Sequence, residues 1–439
     1  MLNVHVVSLG CARNLVDAEI MLGRLKNAGA RLIDAPQRAE VIVVNTCSFV
    51  ESAADESIET ILELARYKQR GRCRRLIVTG CLPERYREEI LDALPEVDVF
   101  LGTGAFDRIV DTVMGIAAPR ACLLPDPDNI APNESGTARL RTPGPTAYLK
   151  IAEGCSRHCT YCIIPKLRGS QKSRSADAIV AEAGRLVQSG AKELVLVAQD
   201  TTAYGRDLAK SAGLGGLLQS LVRLPGDFRI RFLYGHPESI DAEVIRTVAE
   251  QDRICSYFDI PIQHVSRSVL QRMGRRYAAD DLRRLFDRIR AAAPDAALRT
   301  TVIVGFPGES DNDFLQLMQF VEEIGFDHLG AFIYSDAEDL ASHRLDAHVP
   351  PAVARKRYHT LMARQQEFSM QRNRRYLETV CPVLIEAALE SGLYSGRTEF
   401  QAPEVDGMTY VHADHLSIGA MVDVKIIDTL EYDLVGERR

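Results

Sequence analysis

The sequence lacks any apolar run long enough to cross a bilayer as a helix, which excludes a helical membrane-spanning protein. Its start, MLNVHVVSLGCARN, also lacks the basic segment and long apolar stretch of a secretory leader, so no signal peptide is expected. The expectation is a cytoplasmic protein with no membrane partner. Thiols stay reduced there, so the ten cysteines are not expected to form structural disulfides. Those that cluster read as metal ligands or catalytic groups. Compositional extremes are missing too: 46% hydrophobic and 26% charged residues are the proportions of a soluble globular protein. No short period repeats, which excludes a solenoid. At 439 residues the chain is too long for one ordinary domain.

Short β-branched runs open the chain, at 4–10 (VHVVSLG), 40–46 (EVIVVNT), 74–80 (RRLIVTG) and 97–102 (VDVFLG). Amphipathic stretches separate them, a pattern of βαβ units around an open parallel sheet, assigned to residues 1–117. Residues 118–143, rich in Pro, Asn and Gly, read as a linker. Over 144–379 six further strand-like runs alternate with helical patterns, as in a partial (β/α)6 TIM-like barrel, and a long basic helix begins after a Pro pair at 350. Residues 380–439 hold short strands broken by Gly and Pro, the pattern of a small antiparallel barrel. The chain is thus α/β, with a parallel-sheet domain first and a small β-barrel last.

Six cysteines fall into two sets. Cys155, Cys159 and Cys162 form a C-x3-C-x2-C triplet just after the strand-like YLKIAEG, at the end of a barrel strand where active sites sit. Three thiolates on one loop can converge on an iron–sulfur cluster and leave one iron open. A structural zinc site would normally want four ligands from two separated pairs, and none of the other cysteines supplies an obvious matching pair. Cys11, Cys47 and Cys81 lie far apart, yet each directly follows a strand-like run. The carboxyl ends of parallel strands border one crevice, so these three can meet at a shared metal or cluster site. The alternative is that strand-end cysteines are small buried hydrophobes. Cys73, Cys122, Cys255 and Cys381 show no such placement and read as structural or incidental.

The segments YLKIAEGCSRHCTYCIIPKLRG, SLGCARNLVDAE, VNTCSFVESAADES and VTGCLPERY together resemble the radical S-adenosylmethionine (SAM) methylthiotransferases, and SGRTEFQAPEVDGMTYV resembles the TRAM domain of that family. The resemblance implies that Cys155, Cys159 and Cys162 hold a 4Fe-4S cluster whose open iron binds SAM. It implies that Cys11, Cys47 and Cys81 hold a second 4Fe-4S cluster carrying the sulfur to be inserted. An external electron donor and a sulfur source are then required. By position, Tyr161 is expected at the adenine, Gln199 and Asp200 at the SAM amino group, and Arg174 at its carboxylate. Gly305, Phe306 and Gly308 (GFPG) are expected to let backbone approach the cofactor. One departure falls in FIYSDAEDLA, where Asp339 and Leu340 stand in place of the usual Gly-Thr.

Two branches of the family differ in substrate. One modifies an adenosine in transfer RNA; the other, RimO-like, modifies an aspartate β-carbon of small-subunit ribosomal protein S-twelve. YFDIPIQHVS, FIYSDAE and GRTEFQAPEVDG resemble the protein-modifying branch. Charge points the same way. Residues 381–439 carry four Lys/Arg against eleven Asp/Glu, a net of −7 that equals the formal charge of the whole chain. A domain that grips RNA should be basic; an acidic one suits a basic ribosomal protein. Acidity that serves only solubility is the plainer alternative. An iron–sulfur electron carrier or scaffold is a further reading, though it would need no substrate barrel.

Overall fold

The computed structural model describes residues 1–116, 120–132 and 139–439, and in it the amino-terminal runs form one six-stranded sheet. Asn3–Ser8 lies between Arg31–Leu32 and Val41–Thr46; Arg75–Gly80, Val99–Leu101 and Ala121–Leu123 follow in order, every pair parallel. The order reverses beside Asn3–Ser8, which makes a topological switch point at its carboxyl end. Val41–Thr46 is buried along its whole length, as a central parallel strand covered on both faces should be. The stretch read as a linker over 118–143 is therefore not irregular throughout. Its Ala-Cys-Leu tripeptide pairs as the outermost strand, masked in the sequence by the Pro and Asn around it. Part of that linker, 118–119 and 133–138, lies outside the described residues.

The helix Ala12–Asn27 has two working faces. Ala18, Met21 and Leu25 pack on the sheet, while Ala12 and Val16 pack with Tyr148, Val195 and Val197 of the barrel. These spacings of three and four place each set on its own stripe, so one helix docks two domains. Truncating the fully buried Met21 to Ala should cost about 2–5 kcal/mol.

The barrel strands are Thr146–Lys150, Glu193–Val197, Arg229–Phe232, Tyr257–Asp259, Ala297–Val304 and His328–Ile333. They form two parallel triples, bridged at Ile230 and Ile254, with Thr146–Lys150 and His328–Ile333 at the outer edges. Side chains alternate: Leu194 and Leu196 face the outer helices, and Val195 and Val197 face inward. The helix Pro351–Asn373 then leads to a closed barrel of five strands. Its pairings are antiparallel except Thr409–His412 with Leu434–Arg438, which run parallel. Among the described residues no helix is long and apolar enough to cross a membrane.

Residues 397–406 of the last domain close the amino-terminal end of the central barrel. Arg397 bonds Glu193 at 2.7 Å and Glu386 at 2.6 Å, and Glu193 also takes Arg229 at 2.9 Å and Arg231 at 2.7 Å. Burial alone would raise the Glu193 carboxyl, but three guanidinium groups hold it well below the carboxylate range. Asp406 accepts from the Tyr257 hydroxyl at 2.6 Å and from Arg299 at 3.2 Å. Removing Glu193 would strand buried cations, a loss of about 3–5 kcal/mol.

Candidate functional site

At the switch point, Cys11 caps the helix Ala12–Asn27, Cys47 follows Val41–Thr46, and Cys81 opens the helix Cys81–Tyr86. Gly10, at φ +89°, lets two strand ends close together: a Cβ there would lie 2.6 Å from that of Cys47. Buried Asn14 stitches them, its Nδ2 donating to the Leu9 carbonyl at 3.1 Å and the Thr46 carbonyl at 2.9 Å. Asn45 Nδ2 returns a bond to the Asn14 carbonyl at 2.8 Å. Ser57 fixes Cys47 by accepting from its N–H at 3.1 Å and donating to its carbonyl at 2.8 Å. The three thiols are close enough to perturb one another electrostatically. Burial raises Cys47, and lifts Cys81 to about 11. For Cys11 burial is outweighed, by Arg13 first, then the Asn14 backbone and Arg168, and its thiol is lowered.

Cys155, Cys159 and Cys162 share the loop between Ala152–Glu153 and the helix Ile164–Arg168. The Cys155 N–H donates to the Gly169 carbonyl at 2.9 Å, and Thr160 donates to the carbonyls of Met273 at 3.1 Å and Arg272 at 2.8 Å. These thiols also couple; burial raises Cys155 and pushes Cys162 up to about 12. Among the described residues no three His, Cys, Asp or Glu side chains converge as on a single metal ion. A cubane spreads its thiolates over separate irons and does not require that convergence.

The helix that follows the loop set reaches Cys81 across the domain junction. Buried Arg168, six residues after Cys162, pairs with Asp17 at 2.8 Å and Glu153 at 3.4 Å, bonds Asn14 Oδ1, and reaches Cys81 Sγ at 3.5 Å. Lys150 bridges Asp17 and Glu153 beside it. Arg13 donates to the Ala198 carbonyl at 2.9 Å and lies 4.6 Å over the Tyr234 ring, so the Cys11 segment reaches the barrel mouth. Cys81 packs with Ile163 and Leu167, the former next to Cys162.

Of the remaining expected contacts, Gln199 donates Nε2 to Glu153 at 2.7 Å, and its buried Oε1 has no partner among the described residues. An unpaired buried carbonyl oxygen is costly alone and is suited to accept from an ammonium group. Asp200 is bound by Arg157 at 3.0 Å and caps Thr201–Ala203. Tyr161 stands edge-on to Phe306 at 6.2 Å, Phe306 edge-on to Tyr334 at 5.0 Å, and the Tyr161 hydroxyl accepts from Arg275 at 3.1 Å. Burial and then Arg275 push His236 down to about 2, so that ring stays neutral. Arg174 bonds Glu182 at 2.7 Å and the Lys150 carbonyl at 2.7 Å. At Gly305, φ +75°, the close neighbour is Ala354 of the long helix, and at Gly308 it is the Arg272 side chain. Arg13, Asn14, Glu153, Arg157, Arg168 and Arg275 were not singled out from sequence. The first five had one signal, adjacency to the cysteine motifs in CARN, AEGCSR and PKLRG, and Arg275 had none.

The chain matches uncharacterized protein family UPF0004 over residues 3–102, the Radical SAM superfamily over 149–321 and the TRAM domain over 379–438. It is 52% identical to the ribosomal protein uS12 methylthiotransferase RimO of Desulfosudis oleivorans, across 99% of this chain and 100% of that protein. With the RimO of Clostridioides difficile it shares 47% identity across 100% and 99%. Among solved structures, the radical S-adenosylmethionine methyltransferase TsrM from Kitasatospora setae superposes with a TM-score of 0.60 at 13% identity, covering 84% of this chain and 89% of that one, a likeness of fold alone.

Proposed function

The chain belongs to the RimO family of radical SAM methylthiotransferases, and on that premise we propose that it attaches a methylthio group to an aspartate β-carbon of ribosomal protein uS12. The observation that carries this reading is Arg168, which spans from Glu153, two residues before Cys155, to Cys81 of the other set. The family uses a 4Fe-4S cluster and SAM. Here Cys155, Cys159 and Cys162 would hold that cluster, and Cys11, Cys47 and Cys81 a second one. Bound there, the first would supply the electron that splits SAM into methionine and a 5′-deoxyadenosyl radical, and the second the sulfur to be transferred.

The residues around them bind and orient. Gln199 Oε1 accepts from the SAM ammonium, while Glu153 holds the amide in place through Nε2. Tyr161 and Phe306 offer an aromatic wall for the adenine, and Arg275 fixes the Tyr161 hydroxyl. Asp200 acts through Arg157, next but one to Cys155. Arg13, Arg168 and Lys150 offset the negative charge of clustered thiolates. An external electron donor and a sulfur source complete the reaction, and its ribosomal substrate places the work in the cytoplasm.

The acidic last domain recruits the basic protein through exposed residues such as Glu390, Asp414, Asp423, Asp428 and Glu431. Asp406 takes no part, because it is buried against Arg299 and Tyr257. Mass spectrometry of ribosomal protein uS12 and of tRNA after anaerobic reaction with the reconstituted enzyme tests the assignment. The methylthio adduct is expected on the protein; an adduct on tRNA alone would transfer the chain to the nucleic-acid branch.

A further inference from the structure

The two residues that depart from the family's Gly-Thr pattern have specific partners. Asp339 takes a bidentate ion pair from Arg85, at 3.0 Å from Nε and 2.8 Å from Nη2, with Lys166 at 3.6 Å from the same carboxylate. Arg85 is four residues past Cys81, its side chain is only 8% exposed, and its Nη1 donates to the Ser48 carbonyl at 2.6 Å, next to Cys47. Leu340 packs with Cys81, Ile163 and Leu167. Two residues on, the Ser342 N–H donates to the Thr160 carbonyl at 2.9 Å, between Cys159 and Cys162. Positions 339–342 therefore touch the segments that carry both triplets. A Gly-Thr pair has neither a carboxylate nor a branched apolar side chain, so it can make neither contact.

We propose that Asp339 and Leu340 are a positioning clasp that holds the Cys81 helix against the Cys155–Cys162 loop and fixes the separation of the two cysteine sets. The inference rests on the two-cluster reading above. A bidentate Arg–carboxylate pair is directional, and Arg85 holds its guanidinium on the buried side while the Asp339 carboxylate stands at the surface. Leu340 adds an apolar contact on the other side of the same segment. Separation matters because group transfer between two centres depends steeply on placement. Loosening the clasp should leave SAM cleavage running while fewer cleavage events end in sulfur transfer.

The test compares full-length wild type with Asp339→Asn, Asp339→Glu and the double substitution Asp339→Gly, Leu340→Thr, which restores the family pattern. In cluster-free protein, hydrogen exchange in Cys81–Tyr86 should quicken roughly tenfold in the Asn and double variants, with Ala297–Val304 unchanged. In reconstituted enzyme, methylthio product per 5′-deoxyadenosine should fall about tenfold while 5′-deoxyadenosine formation stays within about twofold. Asp339→Glu keeps the carboxylate and should recover most of the ratio. Unchanged exchange overturns the clasp. So does faster exchange with an intact product ratio, or an equal fall in cleavage and product, since the segment would then be mere support. If wild type forms no methylthio product, the two-cluster reading fails instead, and the exchange measurement still decides whether the clasp exists.

Discussion

The two cysteine sets are gathered by opposite means. Cys155, Cys159 and Cys162 lie on one loop, anchored by backbone bonds to Gly169 and Met273 and by the Thr160 hydroxyl to the Arg272 carbonyl. Cys11, Cys47 and Cys81 come together only because three strands hold register, with Ser8 opposite Asn45 and Thr46 opposite Gly80. A loop set needs its own short segment and the wall behind it. A strand-end set needs a sheet, a switch point and side chains such as Asn14 that tie one strand end to the next. The second arrangement is thus the more fragile, and it allows one set to be lost without the other.

The largest expected effect separates the sets outright. Replacing Cys155, Cys159 and Cys162 by Ala should remove about half the iron of the reconstituted protein and all SAM cleavage. Replacing Cys11, Cys47 and Cys81 should remove the other half and all methylthio transfer, with some SAM cleavage retained. Iron and sulfide per chain, read beside 5′-deoxyadenosine, give the result. Full iron content in the second variant would mean that the strand-end cysteines hold no cluster.

A smaller effect should break the strand-end set without touching a cysteine. Asn14→Ala removes two bonds to backbone carbonyls and leaves Arg168 without one acceptor, all in buried surroundings. The cost should be about 1–3 kcal/mol, seen as a lower thermal midpoint, together with partial loss of the strand-end iron. Thr160→Val, which removes one bond to the Arg272 carbonyl in the loop set, should cost about 0.5–1.5 kcal/mol and spare that iron. Equal iron loss in both variants would erase the distinction.

The same contrast explains what could be read from the chain alone. The loop triplet is legible because its spacing is local, and the strand-end triplet because β-branched runs mark the strands before Cys11, Cys47 and Cys81. Arg168 and Arg13 were not legible, since their roles arise only when the helix Ala12–Asn27 docks on the barrel. Asp406 counted toward an acidic surface, yet it pairs with Arg299, 107 residues away in sequence, and composition carries no record of such pairings. The strand Ala121–Leu123 was hidden because three residues are too few to show a period.

The smallest effect lies within the strand-end set and needs no cluster. In cluster-free protein the Cys11 thiol is lowered, because Arg13 and Arg168 outweigh its burial, whereas Cys47 is raised and Cys81 is pushed to about 11. In the loop set Cys155 is raised and Cys162 reaches about 12. The thiolate is the reacting species, and below its pKa each unit changes the thiolate fraction about tenfold, so a lowered thiol reacts at lower pH. A lower pKa also weakens the nucleophile, but by only about half that factor on a logarithmic scale. Alkylation at a pH of about 7.5 should therefore label Cys11 ahead of Cys47, Cys81, Cys155 and Cys162, and raising the pH to about 9 should narrow the lead. Arg13→Gln should shrink it further by removing the nearer guanidinium. Peptide mapping by mass spectrometry against time reads the order; an unchanged lead in Arg13→Gln would show that access rather than charge sets it, since Cys81 is also the more buried thiol.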